Sequence, residues 1–222
     1  MKIRNKKSGQ VLEFSRRYAR VRRMQRRVFA WANTLKPFLE KRGQGFRLVM
    51  VRLSYAPEFT WKPNDIRDFM KLVKRKLGSS LIAAAQVAEL QRRGEVHYHV
   101  LLLVRQGTEI PKPDEAGWWK WGSTRIETAR SVYYICSYVS KEYQKMGIFP
   151  KGLRMFSVWI NKEYLSDIER WFFHLTALPV WLRDEMMHRF ELYLKKVRRV
   201  CGGGWECEGI LFTSPWEVIE IG

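Results

Sequence analysis

Two apolar runs joined by a polar link constrain this chain more than anything else in it. Residues 82–90 and 100–104 are almost uninterrupted apolar sequence. Between them stand Gln91-Arg92-Arg93-Gly94-Glu95 and His97-Tyr98-His99. Short apolar runs bounded by turn residues read as buried strands. A three-residue hairpin loop usually ends on a glycine in the left-handed conformation, where glycine carries no side-chain penalty. Arg92-Arg93-Gly94 fits that loop. The register follows: Gln91 faces Glu95, Glu89 faces His97, and Val87 faces His99. Residues i and i+2 of a strand share a face, as do directly opposed residues. Glu89, His97 and His99 therefore converge on one side of an antiparallel sheet.

One carboxylate and two neutral imidazoles suit a divalent cation such as Mn²⁺ or Mg²⁺, with positions left open for substrate oxygens. The chain has four histidines, and two of them stand here. Two surface histidines on an edge strand, with Glu89 solvating a hairpin end, would give the same letters. The motif gains its weight because turn and pairing agree with it.

Charge indicates the substrate. Lys plus Arg number 41 against 22 Asp plus Glu, a formal charge of +19. Such an excess repels itself and attracts a polyanion, nucleic acid first. Arg16, Arg17, Arg20, Arg23 and Arg27 crowd one helical segment, where such density suits phosphate contacts. Arg92 and Arg93 sit at the hairpin tip, and Lys145 lies further on. Aromatic residues among cations are what single-stranded bases stack on. Trp119 and Trp121 are the exposed candidates, in a loop-like cluster bounded by glycines and prolines.

The order of elements predicts the fold. A basic amphipathic helix or helix pair is expected over 12–41, with Phe14, Tyr18, Val21 and Val28 on one stripe. A strand follows over 46–55, then a helix capped by Asn64 and running to Leu77. The hairpin comes next, then a short strand over 123–127, a helix over 129–145 and a strand over 153–160. Helices are expected over 162–174 and 181–199, before a short tail. This is the α+β, ferredoxin-like (RRM-like) pattern: an antiparallel sheet of four to five strands with helices on one face. The expected domains are a basic helical extension over 1–45, a core over 46–161, and a helical extension with a tail over 162–222. A 26.5 kDa chain can bury such a core. No run reaches membrane-spanning length, and no signal peptide is evident. Three cysteines make no disulfide framework. A cytoplasmic protein, or one inside a host cell if viral, is the expectation.

A second constellation lies on the helix after the hairpin. At ~100° per residue, Val132, Ile135, Cys136, Val139 and Tyr143 form a core stripe. Tyr134, Tyr138, Lys141 and Lys145 share the opposite side. Exposed tyrosines on helices are common, but these accompany a metal site in a basic chain. A metal ion offsets charge developing on a phosphodiester. A tyrosine with a pKa of about 10 is a poor nucleophile until a cation favours its phenolate. Its attack gives a covalent phosphotyrosine that conserves the bond for rejoining.

Glu89…His97-Tyr98-His99 followed by Tyr138-Val139-Ser140-Lys141 resembles the HUH endonucleases. More narrowly, it is similar to rolling-circle replication initiators (Rep) of plasmids and single-stranded DNA viruses. Val51-Arg52-Leu53-Ser54-Tyr55 resembles their first motif, and the resemblance covers about residues 46–160. It implies sequence-specific nicking of single-stranded or hairpin origin DNA and a 5′-phosphotyrosine at Tyr138. It also implies Lys141 as helper, metal at His97, His99 and Glu89, and strand transfer to end the cycle. Host replication helicase and polymerase are the implied partners; neither a nucleotide cofactor nor a membrane is expected. Some relatives use two tyrosines one turn apart, each followed by a lysine; Tyr134 has Ser137 at that spacing, so its role stays open. An HUH transposase, a relaxase, or a non-catalytic ferredoxin-like binding module are the alternatives.

Overall fold

The hairpin is the centre of the molecule. In the computed structural model, residues 2–13, 15–42, 45–91, 94–140, 149–166, 169, 173–187, 198–199, 205–207 and 210–220 are described. The two hairpin strands are β4 (Leu81–Leu90) and β5 (Val96–Arg105) in the chain-order numbering used throughout, and nearly every residue in both is buried. Burial on both faces is what a continuous apolar run requires. Gly94 has φ +84, the left-handed region, and its N–H donates to the Gln91 carbonyl at 2.9 Å. The pairs Glu89↔His97 and Val87↔His99 fall in register as the loop length predicts.

Around the hairpin, β3 (Phe46–Ser54), β6 (Thr124–Ala129) and β7 (Phe156–Ile160) complete a five-stranded sheet of order β6-β3-β5-β4-β7. Every pairing in it is antiparallel. With α1 (Arg16–Arg42), α2 (Asp65–Leu77) and α3 (Tyr134–Ser140), the architecture is α+β and ferredoxin-like. One detail differs from expectation: helices cover both faces. Tyr98 and Gln86 face α2, because the Tyr98 hydroxyl takes a 2.6 Å hydrogen bond from Trp61 beside that helix and Gln86 shares a cleft with Ile66 and Lys74. His99, one residue on, faces α3. Phe46, on the His99 side by register, packs 5.0 Å from Phe38 of α1. Two buried faces need two covers, so the described residues leave no bare sheet face for nucleic acid.

Local differences have local causes. The segment expected as a helix or helix pair is one helix of 27 residues. Its buried stripe is Val21, Met24, Val28, Trp31, Leu35 and Phe38; Tyr18 is 48% exposed instead. Phe14 lies outside the described residues. Asn64 has helical backbone angles and makes no capping bond. Asp65 does that work: its Oδ2 accepts from the Lys62 N–H and the Tyr55 hydroxyl, both at 3.0 Å. The helix expected from residue 129 starts at Tyr134, because Ala129 still pairs with Leu48 in the sheet.

The chain divides into two compact units, Val21–Tyr164 and a second made of Met1–Arg20 with Leu165–Gly222. The second holds strands that the sequence pattern did not announce. β1 (Lys2–Asn5) and β2 (Val11–Glu13) join β11 (Trp216–Glu220) in an antiparallel sheet. β8 (Arg198–Arg199), β9 (Trp205–Cys207) and β10 (Ile210–Phe212) form another. Of the two expected C-terminal helices, the second corresponds to α4 (Val180–Met187), while Lys162–Tyr164 is a single 3-10 turn. Arg198–Arg199, expected as helix, pairs as a strand with β9. No described helix is long and apolar enough to cross a membrane.

Candidate active site

The hairpin register brings Glu89, His97 and His99 together. Glu89 Oε2 lies 2.9 Å from His99 Nε2 and 3.3 Å from His97 Nε2. The two Nε2 atoms are 2.9 Å apart. All three side chains are buried. Three ligand atoms at right angles around one ion, each about 2.1 Å from it, would be about 3.0 Å apart. The triangle fits a small divalent cation, and it does so with lone-pair-bearing atoms turned towards one point. Two ring nitrogens in contact satisfy each other only if one keeps a proton; a cation satisfies both and the carboxylate together.

Gln91 supports this arrangement and was not singled out from sequence. It follows Glu89 by two positions, so alternation puts it on the same face. Its amide lies 2.8 Å from His97 Nδ1. A half-turn of that amide exchanges groups of equal size and lets its carbonyl accept from Nδ1–H, leaving the Nε2 lone pair for an ion.

The tyrosine helix meets the triad directly. The Tyr138 ring stacks on His99, with centroids 3.6 Å apart and planes 20° from parallel. Val132, Ile135, Cys136 and Val139 are buried as the wheel predicts. Tyr134 is 38% exposed. Its hydroxyl donates to Glu127 Oε1 at 2.9 Å and accepts from the Tyr138 hydroxyl at 3.4 Å. These bonds, first to Tyr138 and then to Glu127, push the Tyr134 phenol above its ordinary pKa. Glu127 was also missed; it lies on the site face because it opposes Met50, two residues from Arg52. Arg52 itself opposes His99 on one side and Arg125 on the other, giving this face two cations by register.

Other candidates fall differently. Trp119 is fully buried; its Nε1 donates to the Ser54 carbonyl at 3.0 Å and its ring packs on Tyr55, Phe69 and Trp121. It is core, with no face for a base. Trp121 is half-buried against it. Arg16, Arg17, Arg20, Arg23 and Arg27 all lie on α1, with Arg17, Arg20 and Arg23 exposed. Burial, then the neighbouring Arg26, lowers the Arg27 pKa to about 10. Arg92, Arg93, Lys141, Tyr143 and Lys145 lie outside the described residues.

Residues 48–143 match a family of replication-associated proteins, the one described by its ORF2 members. The matched segment begins in β3 and contains the triad, Glu127 and both tyrosines. No curated protein matches the chain. The match associates the chain with Rep-like replication proteins, and the buried Glu89–His97–His99 group could bind a divalent metal ion.

Proposed function

We propose that this protein is a metal-dependent endonuclease of the HUH type that nicks single-stranded or hairpin origin DNA and initiates rolling-circle replication. The observation that carries the reading is the stack of Tyr138 on His99, which sets a phenol against a ligand group suited to a divalent ion. Mn²⁺ or Mg²⁺ held by Glu89, His97 and His99 would neutralise charge on the scissile phosphate. The Tyr138 oxygen attacks phosphorus, the bond to the 3′ oxygen breaks, and the phenolic proton is released while the departing oxygen takes one up. The product is a 5′-phosphotyrosine and a 3′ hydroxyl for the host polymerase. Reversal by another 3′ hydroxyl closes the product strand. Arg52 and Arg125 are placed to meet the phosphate, and Lys141 follows Tyr138 at the spacing of the helper lysine. Tyr134 acts as a support for Tyr138 rather than a second nucleophile, since its phenol is held protonated by two partners. Host helicase and polymerase, within the host cell, complete the reaction sequence.

The test is adduct formation. With labelled single-stranded origin DNA and Mn²⁺, the native chain should form a covalent protein–DNA species that Tyr138→Phe does not. An adduct that persists in Tyr138→Phe removes Tyr138 as nucleophile; no adduct from the native chain across many DNA sequences supports a binding module instead.

A further inference from the structure

The sheet face opposite the triad carries a second polar cleft. Gln86 opposes Val100 and so points away from Val87 and His99. Together with α2, β7 and the segment over 149–155, it lines a cavity of about 360 Å³. That is near the lower end of small-molecule sites, roughly 300–1,000 Å³.

Three features of its lining point to one ligand chemistry. The first is Gln86 itself, 2% exposed in a central strand. Its Nε2 donates to the Arg154 carbonyl at 3.5 Å, while its Oε1 is buried with no hydrogen-bond partner among the described residues. Buried acceptors are seldom left this way, and the group awaits a donor. The second is charge. Arg67, Lys71, Lys74 and Arg154 all border the cleft. Arg67 and Lys71 share Asp68 at 3.4 and 3.9 Å through exposed side chains. Lys74 and Arg154 have no carboxylate in ion-pair range among the described residues. The third is an aromatic face: Lys74 Nζ sits 4.4 Å over the Trp159 ring. Burial lowers the pKa of this ammonium group, as expected for a cation lacking an anion.

We propose that this cleft binds a nucleotide, its phosphate against Lys74 and Arg154 and a base N–H on Gln86 Oε1. The chemistry is shared by a free mononucleotide and by one nucleotide of a DNA strand. It does not depend on Tyr138 or the metal triad, which lie on the other face.

Calorimetric titration of the full chain with deoxyadenosine monophosphate, inorganic phosphate and a short single-stranded oligonucleotide tests this. Deoxyadenosine monophosphate should bind saturably and about tenfold more tightly than phosphate. Lys74→Glu with Arg154→Glu should weaken it by about tenfold or more, whereas Lys6→Glu with Lys7→Glu, a matched charge change elsewhere, should not. Gln86→Leu should bring it down to the affinity of phosphate. If only the oligonucleotide responds to Lys74 and Arg154, the ligand is a nucleotide within a strand; if the mononucleotide responds, it is the free form. Indifference of both to the double reversal overturns the proposal. Equal binding of phosphate and mononucleotide, with no oligonucleotide response, overturns it as well. The double reversal should leave Tyr138 adduct formation on a short substrate intact, so loss of nicking in the native chain bears on the endonuclease reading alone.

Discussion

At the residue scale, the site depends on groups that hold other groups. Gln91 touches no ion, yet it fixes the His97 ring through Nδ1. Removing such a partner typically lowers metal affinity by roughly 10–100-fold while leaving the ligands in place. Gln91→Leu should therefore weaken Mn²⁺ binding by about that factor, measured by calorimetry, with an unchanged fold by circular dichroism. Unchanged affinity would mean that His97 is oriented by packing alone. Tyr134 and Glu127 make a similar pair behind Tyr138. Tyr134→Phe removes a long 3.4 Å bond to Tyr138 and frees Glu127. The adduct should survive, with its rate of formation reduced by about tenfold or less. Loss of the adduct in Tyr134→Phe together with its survival in Tyr138→Phe would exchange the roles of the two tyrosines. Cys136 offers a control on the same helix. Burial pushes its thiol up to about 12, so it should resist alkylation at pH 8 in the native chain and react on unfolding. An unfolded thiol ionises near its ordinary value of 9.0. The stability that Cys136 contributes is thus whole below that pH and lost as pH rises towards 12.

At the element scale, what was legible was local. The β4–β5 hairpin could be registered from the sequence because one glycine and a loop length determine which residues oppose one another. The α3 core stripe could be read because it needs only the helical period. The sheet of β1, β2 and β11 could not: Lys2 pairs with Glu220, and nothing short-range in either segment announces so distant a partner. Trp119 misled for a related reason. Its neighbours look like a loop, but the loop folds back on the end of β3, where a buried indole gains a hydrogen bond and three ring contacts. Gly122 makes that return possible. A Cβ there would stand 2.7 Å from the Tyr55 carbonyl carbon and closer still to Ser54 O and Ala56 N. These are backbone atoms that cannot step aside. Gly94, by contrast, has nothing within 4 Å of its would-be Cβ, so its alanine variant bears only the left-handed backbone cost, about 1–2 kcal/mol. Gly122→Ala should lower the urea midpoint distinctly more than Gly94→Ala. The reverse order would show that the 118–123 segment is not seated on β3.

At the scale of the whole molecule, charge and metal act on different observables. The +19 charge acts through counterion release, so affinity for single-stranded DNA should fall steeply with salt, log K changing by about −0.7 per phosphate neutralised. The triad contributes little to that slope, since it is three buried groups on one sheet face. The folded triad binds Mn²⁺, and its ligands are scattered in the unfolded chain. Saturating metal should therefore stabilise the fold, by about 2.7 kcal/mol at a hundred times the dissociation constant. His97→Ala with His99→Ala removes two of the three donors and also the ring beneath Tyr138. The double variant should keep the salt slope of DNA binding, lose the metal-induced rise in Tm, and form no adduct. Measured side by side, these three readouts separate a chain that merely adheres to DNA from one that cuts it. A double variant that still melts higher with Mn²⁺ would place the ion elsewhere. One that loses the salt slope would mean that the histidines organise the basic surface as well as the metal.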